Sequence, residues 1–65
     1  SPQKYLLNYR IEQAKNLLAS TDIFIKDIAH NVGYEDSLAF SKMFRNATGY
    51  SPSAYRKLKT GSSEN

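Results

Sequence analysis

From Pro2 to Ala19 nothing in the chain breaks a helix, and in 65 residues that single stretch takes up more than a quarter of the length. At 100° per residue, Leu6, Leu17, Ala14, Leu7, Leu18 and Ile11 fall in one arc about 140° wide. The stretch therefore predicts an amphipathic helix over 2–19, of nearly five turns, with one face to bury. A chain this short has room for one small core and no second domain, so the remaining residues must cover that face. Arg10 projects into the same arc, between Leu6 and Ala14. A guanidinium there calls for a carboxylate or helix-end carbonyls as partner, because an unpaired buried charge is too costly. Tyr5 and Tyr9 lie off the arc, either as surface tyrosines or as a contact with something outside the chain.

Both prolines follow serine, in Ser1-Pro2 and Ser51-Pro52. Serine as N-cap with proline in the first helical position is a helix start. The two starts align further, as SPxxY at a spacing of 50 residues, ending at Tyr5 and Tyr55. Two copies of one unit would give this pattern, with most of the first copy outside the chain; so would chance.

Ser20, Thr21 and Asp22 punctuate the chain, after which Ile25, Ile28, Ala29 and Val32 recur at helical spacing and end at Gly33. Gly33 is placed as a C-terminal cap with positive φ, which predicts a two-turn helix. Asp36 or Ser37 can cap a third helix reaching about Thr48, with Gly49 as its stop and Phe40, Met43, Phe44 and Ala47 as its inner stripe. Ser51-Pro52 starts a short fourth helix, 52–58, and residues 59–65 form a polar tail with no reason to order. The expected fold is all-α, with four helices.

Several kinds of chemistry are absent from this composition. With no cysteine there is no disulfide framework, thiolate metal site or thiol nucleophile, and one histidine cannot build a metal site or organise much catalysis. No Ser/His/Asp or paired-carboxylate arrangement stands out, so neither an enzyme nor a cofactor or metal is expected. No apolar run approaches the ~20 residues of a membrane span, and the N-terminus has no signal-peptide pattern, so a soluble, intracellular chain is expected.

The net charge of +3 is mild, but its distribution is not. Residues 1–36 carry four bases and five acids, whereas residues 37–60 carry Lys42, Arg45, Arg56, Lys57 and Lys59 and no acid. A one-sided basic field attracts polyanions.

The segment 25–48 meets the physical requirements of a helix-turn-helix. Two short helices crossing steeply need a small residue where they meet and a tight turn soon after, and Ala29 and Gly33 supply these. Ile28, Val32, Tyr34, Phe40 and Phe44 are the apolar anchors, in a turn one residue longer than the common form.

Taken together, Arg10-Ile11 with Ala14 and Leu18, then Ile25, Ile28-Ala29, Val32-Gly33-Tyr34, Phe40, Phe44, Gly49 and Ser51-Pro52 resemble the DNA-binding domain of the AraC/XylS family of bacterial transcription activators. Phe24 departs from that pattern, which more often has a small polar cap there. The resemblance covers residues 1–58. It implies a homeodomain-like fold of two helix-turn-helix units joined by a long helix, of which this chain would hold the linker helix and the second unit. It also implies double-stranded DNA as partner, an upstream helix-turn-helix unit of the same parent protein, and a bacterial cytoplasmic protein on the nucleoid.

With Phe40, Met43, Phe44 and Ala47 facing in, the opposite arc of the third helix presents Leu38, Ser41, Lys42 and Arg45, with Ser37 on its flank. Lys42 or Arg45 can reach guanine O6 and N7, Ser41 can bond several base edges, and Leu38 can rest on a thymine methyl. The resemblance implies base contacts at Ser37, Leu38, Ser41 and Lys42; Arg45 is assigned to phosphate. A plain solvated face is the rival for Lys42 and Arg45. Glu35 and Asp36 sit where phosphates would pass, and their other role is to complement the positive end of the third helix. His30 falls on the outer side of the second helix. The alternative function is a small basic helical module docking an acidic protein partner; a membrane-surface element is disfavoured, because the bases do not flank the apolar arc of the long helix. Tyr5 and Tyr9, left uncovered, would favour self-association.

Overall fold

The computed structural model describes residues 2–61, without the side chains of Pro2 and Gln3. The expected Ser1 cap and the tail beyond Gly61 lie outside the described residues. Four helices follow one another: α1 (Pro2–Ser20), α2 (Ile25–Asn31), α3 (Ser37–Thr48) and α4 (Pro52–Thr60). α1 is covered by α2 and α4, and α3 bridges these two.

The amphipathic pattern of α1 buries only part of its length. Ile11, Ala14 and Leu18 join Ile28, Ala29, Val32, Phe40 and Phe44 in the core, flanked by Leu17, Ile23, Ile25, Tyr34, Met43 and Tyr55. Leu6 and Leu7, expected in the same buried arc, are 46% and 38% exposed. The face is continuous along the helix, but the other three helices cover only its C-terminal part. The molecule is correspondingly elongated, 41 × 19 × 18 Å.

α1 ends where Thr21 turns back: its backbone N–H and its hydroxyl both donate to Leu17 O, and its Oγ1 accepts from Ile23 N at 3.3 Å. Arg56 of α4 reaches the same end, its Nε donating to Leu18 O at 3.1 Å. A cation on otherwise unsatisfied C-terminal carbonyls complements the helix dipole. This contact ties α4 to α1.

α2 begins at Phe24, which makes no side-chain cap bond. It closes in a Schellman turn: Tyr34 N donates to Ala29 O at 2.8 Å and Gly33 N to His30 O at 3.1 Å. Gly33 has φ +104, a conformation that side-chain-bearing residues rarely adopt. An aromatic series then runs from the turn through α3 to α4, with ring centroids 5.9 Å apart for Tyr34–Phe40 and Phe40–Phe44 and 5.4 Å for the edge-on Phe44–Tyr55 pair. Such pairs each contribute about 0.5–1.5 kcal/mol beyond their buried area.

Three expectations need correction. Among the described residues Arg10 finds no carboxylate or helix-end carbonyl: its guanidinium lies over the Tyr34 ring at 5.4 Å and beside Gly33, and the residue is only half-buried. Ala47 is exposed and Thr48 half-buried in its place: the covered side of the last turn of α3 falls on Thr48, whose hydroxyl donates to Phe44 O. α4 runs past Leu58 to Thr60 and closes on Gly61 at φ +68. Lys59, expected in the tail, is held over Tyr55 at 5.6 Å.

Candidate nucleic-acid interface

Asp36 sets the start of α3. Its backbone is extended, at φ −109 and ψ 118, and its Oδ1 accepts from Leu38 N at 3.1 Å. The carboxylate meets both the free amide and the positive helix end that an N-terminus presents. Glu35 is exposed and takes no part in the cap. At the other end Gly49, at φ +86, donates to Arg45 O at 2.8 Å and stops the helix.

Between these caps the inward side is set by Phe40 and Phe44, both fully buried. On the far side Ser37, Leu38, Lys42 and Arg45 are exposed, Leu38 at 60%. Ser41 is half-buried and sits at the margin of that arc, one residue past Phe40. Asn46 and Ala39 are also exposed. They lie beside Lys42 on the helix surface, a neighbourhood visible in helical periodicity but overlooked when the arc is drawn around Leu38 and Arg45. Asn46 adds an amide able to pair with an adenine edge.

Ala29 and Gly33 lie at the junction of α2 with the turn that leads to α3. Ala29 is fully buried, and its carbonyl accepts the closing hydrogen bond of the turn. Of the five bases in the second half, Arg56 is committed to Leu18 O, and its buried Nη2 has no hydrogen-bond partner among the described residues. Lys42, Arg45, Lys57 and Lys59 remain exposed. His30 is exposed on the outer side of α2. Among the described residues no group of histidine, aspartate and glutamate could hold a metal ion, and no helix is long and apolar enough to cross a membrane.

A short helix, a Schellman turn and a second helix with an exposed basic arc, braced by a long helix, define a helix-turn-helix DNA-binding module. Residues 1–58 match the family model described as "Helix-turn-helix domain". The chain belongs to that family, in its AraC type, and is the DNA-binding module of a transcription regulator. It is 49% identical over 57 residues to the raffinose operon transcriptional regulatory protein of Pediococcus pentosaceus, covering 88% of this chain and 21% of that protein. To the Msm operon regulatory protein of Streptococcus mutans it is 44% identical over 57 residues, 88% of this chain and 20% of that protein. To the arabinose operon regulatory protein of Escherichia coli it is 49% identical over 47 residues, 72% of this chain and 16% of that protein. The chain thus spans about a fifth of the length of these curated relatives. No solved structure gives a significant match.

Proposed function

We propose that α3 is the recognition helix of a sequence-specific module and enters the major groove of double-stranded DNA, with Ser37, Leu38 and Lys42 at base edges and Arg45 on phosphate. The exposed Leu38 carries the proposal. A leucine 60% exposed between a serine and two bases costs solubility and gains nothing in the core, whereas a thymine methyl would cover it. Ser41, at the margin of the arc, reaches a base edge only if the helix seats deeply. Ala29 and Gly33 act at a distance, by fixing the angle of α3.

The same proposal places an upstream helix-turn-helix unit of the parent protein against the first turns of α1, where Tyr5, Leu6, Leu7 and Tyr9 are exposed. Without it, those side chains are free to drive self-association. The module acts by binding alone, without a reaction or cofactor, in the cytoplasm and on the nucleoid.

Titration of matched and mismatched duplexes tests the assignment. Lys42→Ala and Arg45→Ala should each weaken binding. Only Lys42→Ala should relax sequence preference, by about 1–3 kcal/mol at one position, while Arg45→Ala weakens all duplexes alike. If both variants bind every duplex as the parent chain does, α3 is not the reader.

A further inference from the structure

An open groove of about 320 Å³ lies between α1, from Leu6 to Leu17, and the end of α2 with its turn, and no residue of α3 or α4 lines it. Its walls are apolar at Leu6, Leu17 and Val32. Its polar lining is rich in donors. The Arg10 guanidinium faces the Tyr34 ring and the Gly33 backbone, so none of its five N–H groups has a protein acceptor among the described residues. Tyr9 accepts from Gln13 Nε2 at 2.7 Å, which leaves its own O–H to donate. Asn31 lies on the opposite wall.

We infer that this groove is a docking site for a protein segment that presents a carboxylate beside an apolar side chain. The guanidinium is planar and already held over the Tyr34 ring at 5.4 Å, so a carboxylate can accept two parallel N–H bonds with less further ordering than a free arginine would need. The Tyr9 hydroxyl adds a third donor, and a neighbouring leucine or phenylalanine covers Leu6 and Val32. A neutral apolar segment would fill the walls and strip water from an unpaired cation, which is unfavourable. Charge complementarity therefore selects an acidic partner over a purely apolar one. The site is separate from the outer arc of α3, so a docked segment and a DNA duplex do not compete for the same residues; it shares Leu6 and Tyr9 with the face proposed above for the upstream unit, so the docking segment is assigned to that unit and the inference rests on that proposal.

The test uses acetyl-Leu-Glu-Leu-amide and its glutamine counterpart as probes, titrated at physiological salt into the isotope-labelled 65-residue chain and followed by NMR. Affinity for so small a probe should be weak, about millimolar, since each ordered side chain costs binding energy. The expected result is a shift of the Arg10 Nε–H, the Gly33 amide and the Asn31 side-chain amide, with the glutamate peptide binding about tenfold more tightly than the glutamine one. Arg10→Met should abolish that preference. Should Arg10→Met fail to fold, Tyr9→Phe, at an exposed position, should reduce the preference several-fold. Equal binding of the two peptides overturns the inference. So do shifts confined to Lys42, Arg45, Lys57 and Lys59, no shift at all, or an unchanged preference in the variant that folds.

Discussion

Gly33 is held by two independent constraints. Its φ of +104 lies where a side chain is strained, and an added Cβ would stand 3.2 Å from Nη2 of Arg10 and 3.3 Å from its Cζ. The guanidinium could move aside, but only by giving up its place over Tyr34. Gly33→Val should therefore cost about 1–3 kcal/mol from the backbone alone, and more from the displaced Arg10. In a domain of this size each kcal/mol lowers Tm by roughly 4–8 °C. Thermal unfolding followed by circular dichroism should show the loss, and equal melting of the two proteins would overturn the turn assignment. The need for glycine was legible in the sequence, since helical spacing stops at Val32. The second constraint was not, because Arg10 is 23 residues away and only the crossing of α1 over the turn brings the two together.

At the level of single helices, caps and cross-links decide where α3 and α4 lie. Asp36→Ala removes the oxygen that accepts from Leu38 N and the negative charge at the positive end of α3. The cost should be about 1 kcal/mol, measured as a lower denaturation midpoint. If α3 seats in the groove as proposed, the same substitution also removes a like charge near the phosphates, so binding to nonspecific duplex should tighten at low salt even as stability falls. Loss of stability with no gain in binding would place Asp36 away from the DNA. Arg56→Met tests the tie between α4 and α1. The bond from Nε to Leu18 O is charge-assisted, which favours a cost of about 1.5–3 kcal/mol, but the orphaned buried Nη2 offsets part of it. A net loss of about 1 kcal/mol in chemical denaturation is expected. No change would mean that methionine packing replaces the bond in full.

For the whole molecule, charge and shape set how strongly it can bind alone. A single recognition helix with about two phosphate-contacting bases should show a shallow salt dependence, roughly −0.9 in log K per log salt for each phosphate. Its affinity should stay near the non-specific range of about 10⁻⁴ to 10⁻⁶ M at physiological salt. Extending the chain by an upstream helix-turn-helix on α1 would make a second groove contact intramolecular and raise affinity by about 10² or more. The extension should also cover Tyr5 and Tyr9, 74% and 53% exposed, and suppress self-association. Binding isotherms of both lengths across a salt series, with light scattering on each, measure the two effects together. Nanomolar binding of one site by the short chain as a monomer would overturn the two-unit proposal.

What the sequence determined by itself was local and periodic. An unbroken 3.6-residue pattern, two Ser-Pro starts and glycines at the stops define four helices, and the spacing of Ala29, Gly33, Tyr34, Phe40 and Phe44 identifies the helix-turn-helix. These signals are legible because backbone sterics and capping act within a few residues. The outer arc of α3 was legible for the same reason, since two buried phenylalanines define its opposite side. What only the tertiary structure decided was which parts of those faces are covered. Leu6 and Leu7 satisfy the pattern of α1 and remain exposed, Ala47 satisfies that of α3 and does the same, and Arg10 trades an expected ion pair for an aromatic ring. Periodicity fixes the direction of a side chain relative to its own helix. Burial depends on whether another helix reaches that point, and that is set by crossing angles and lengths that no single segment encodes.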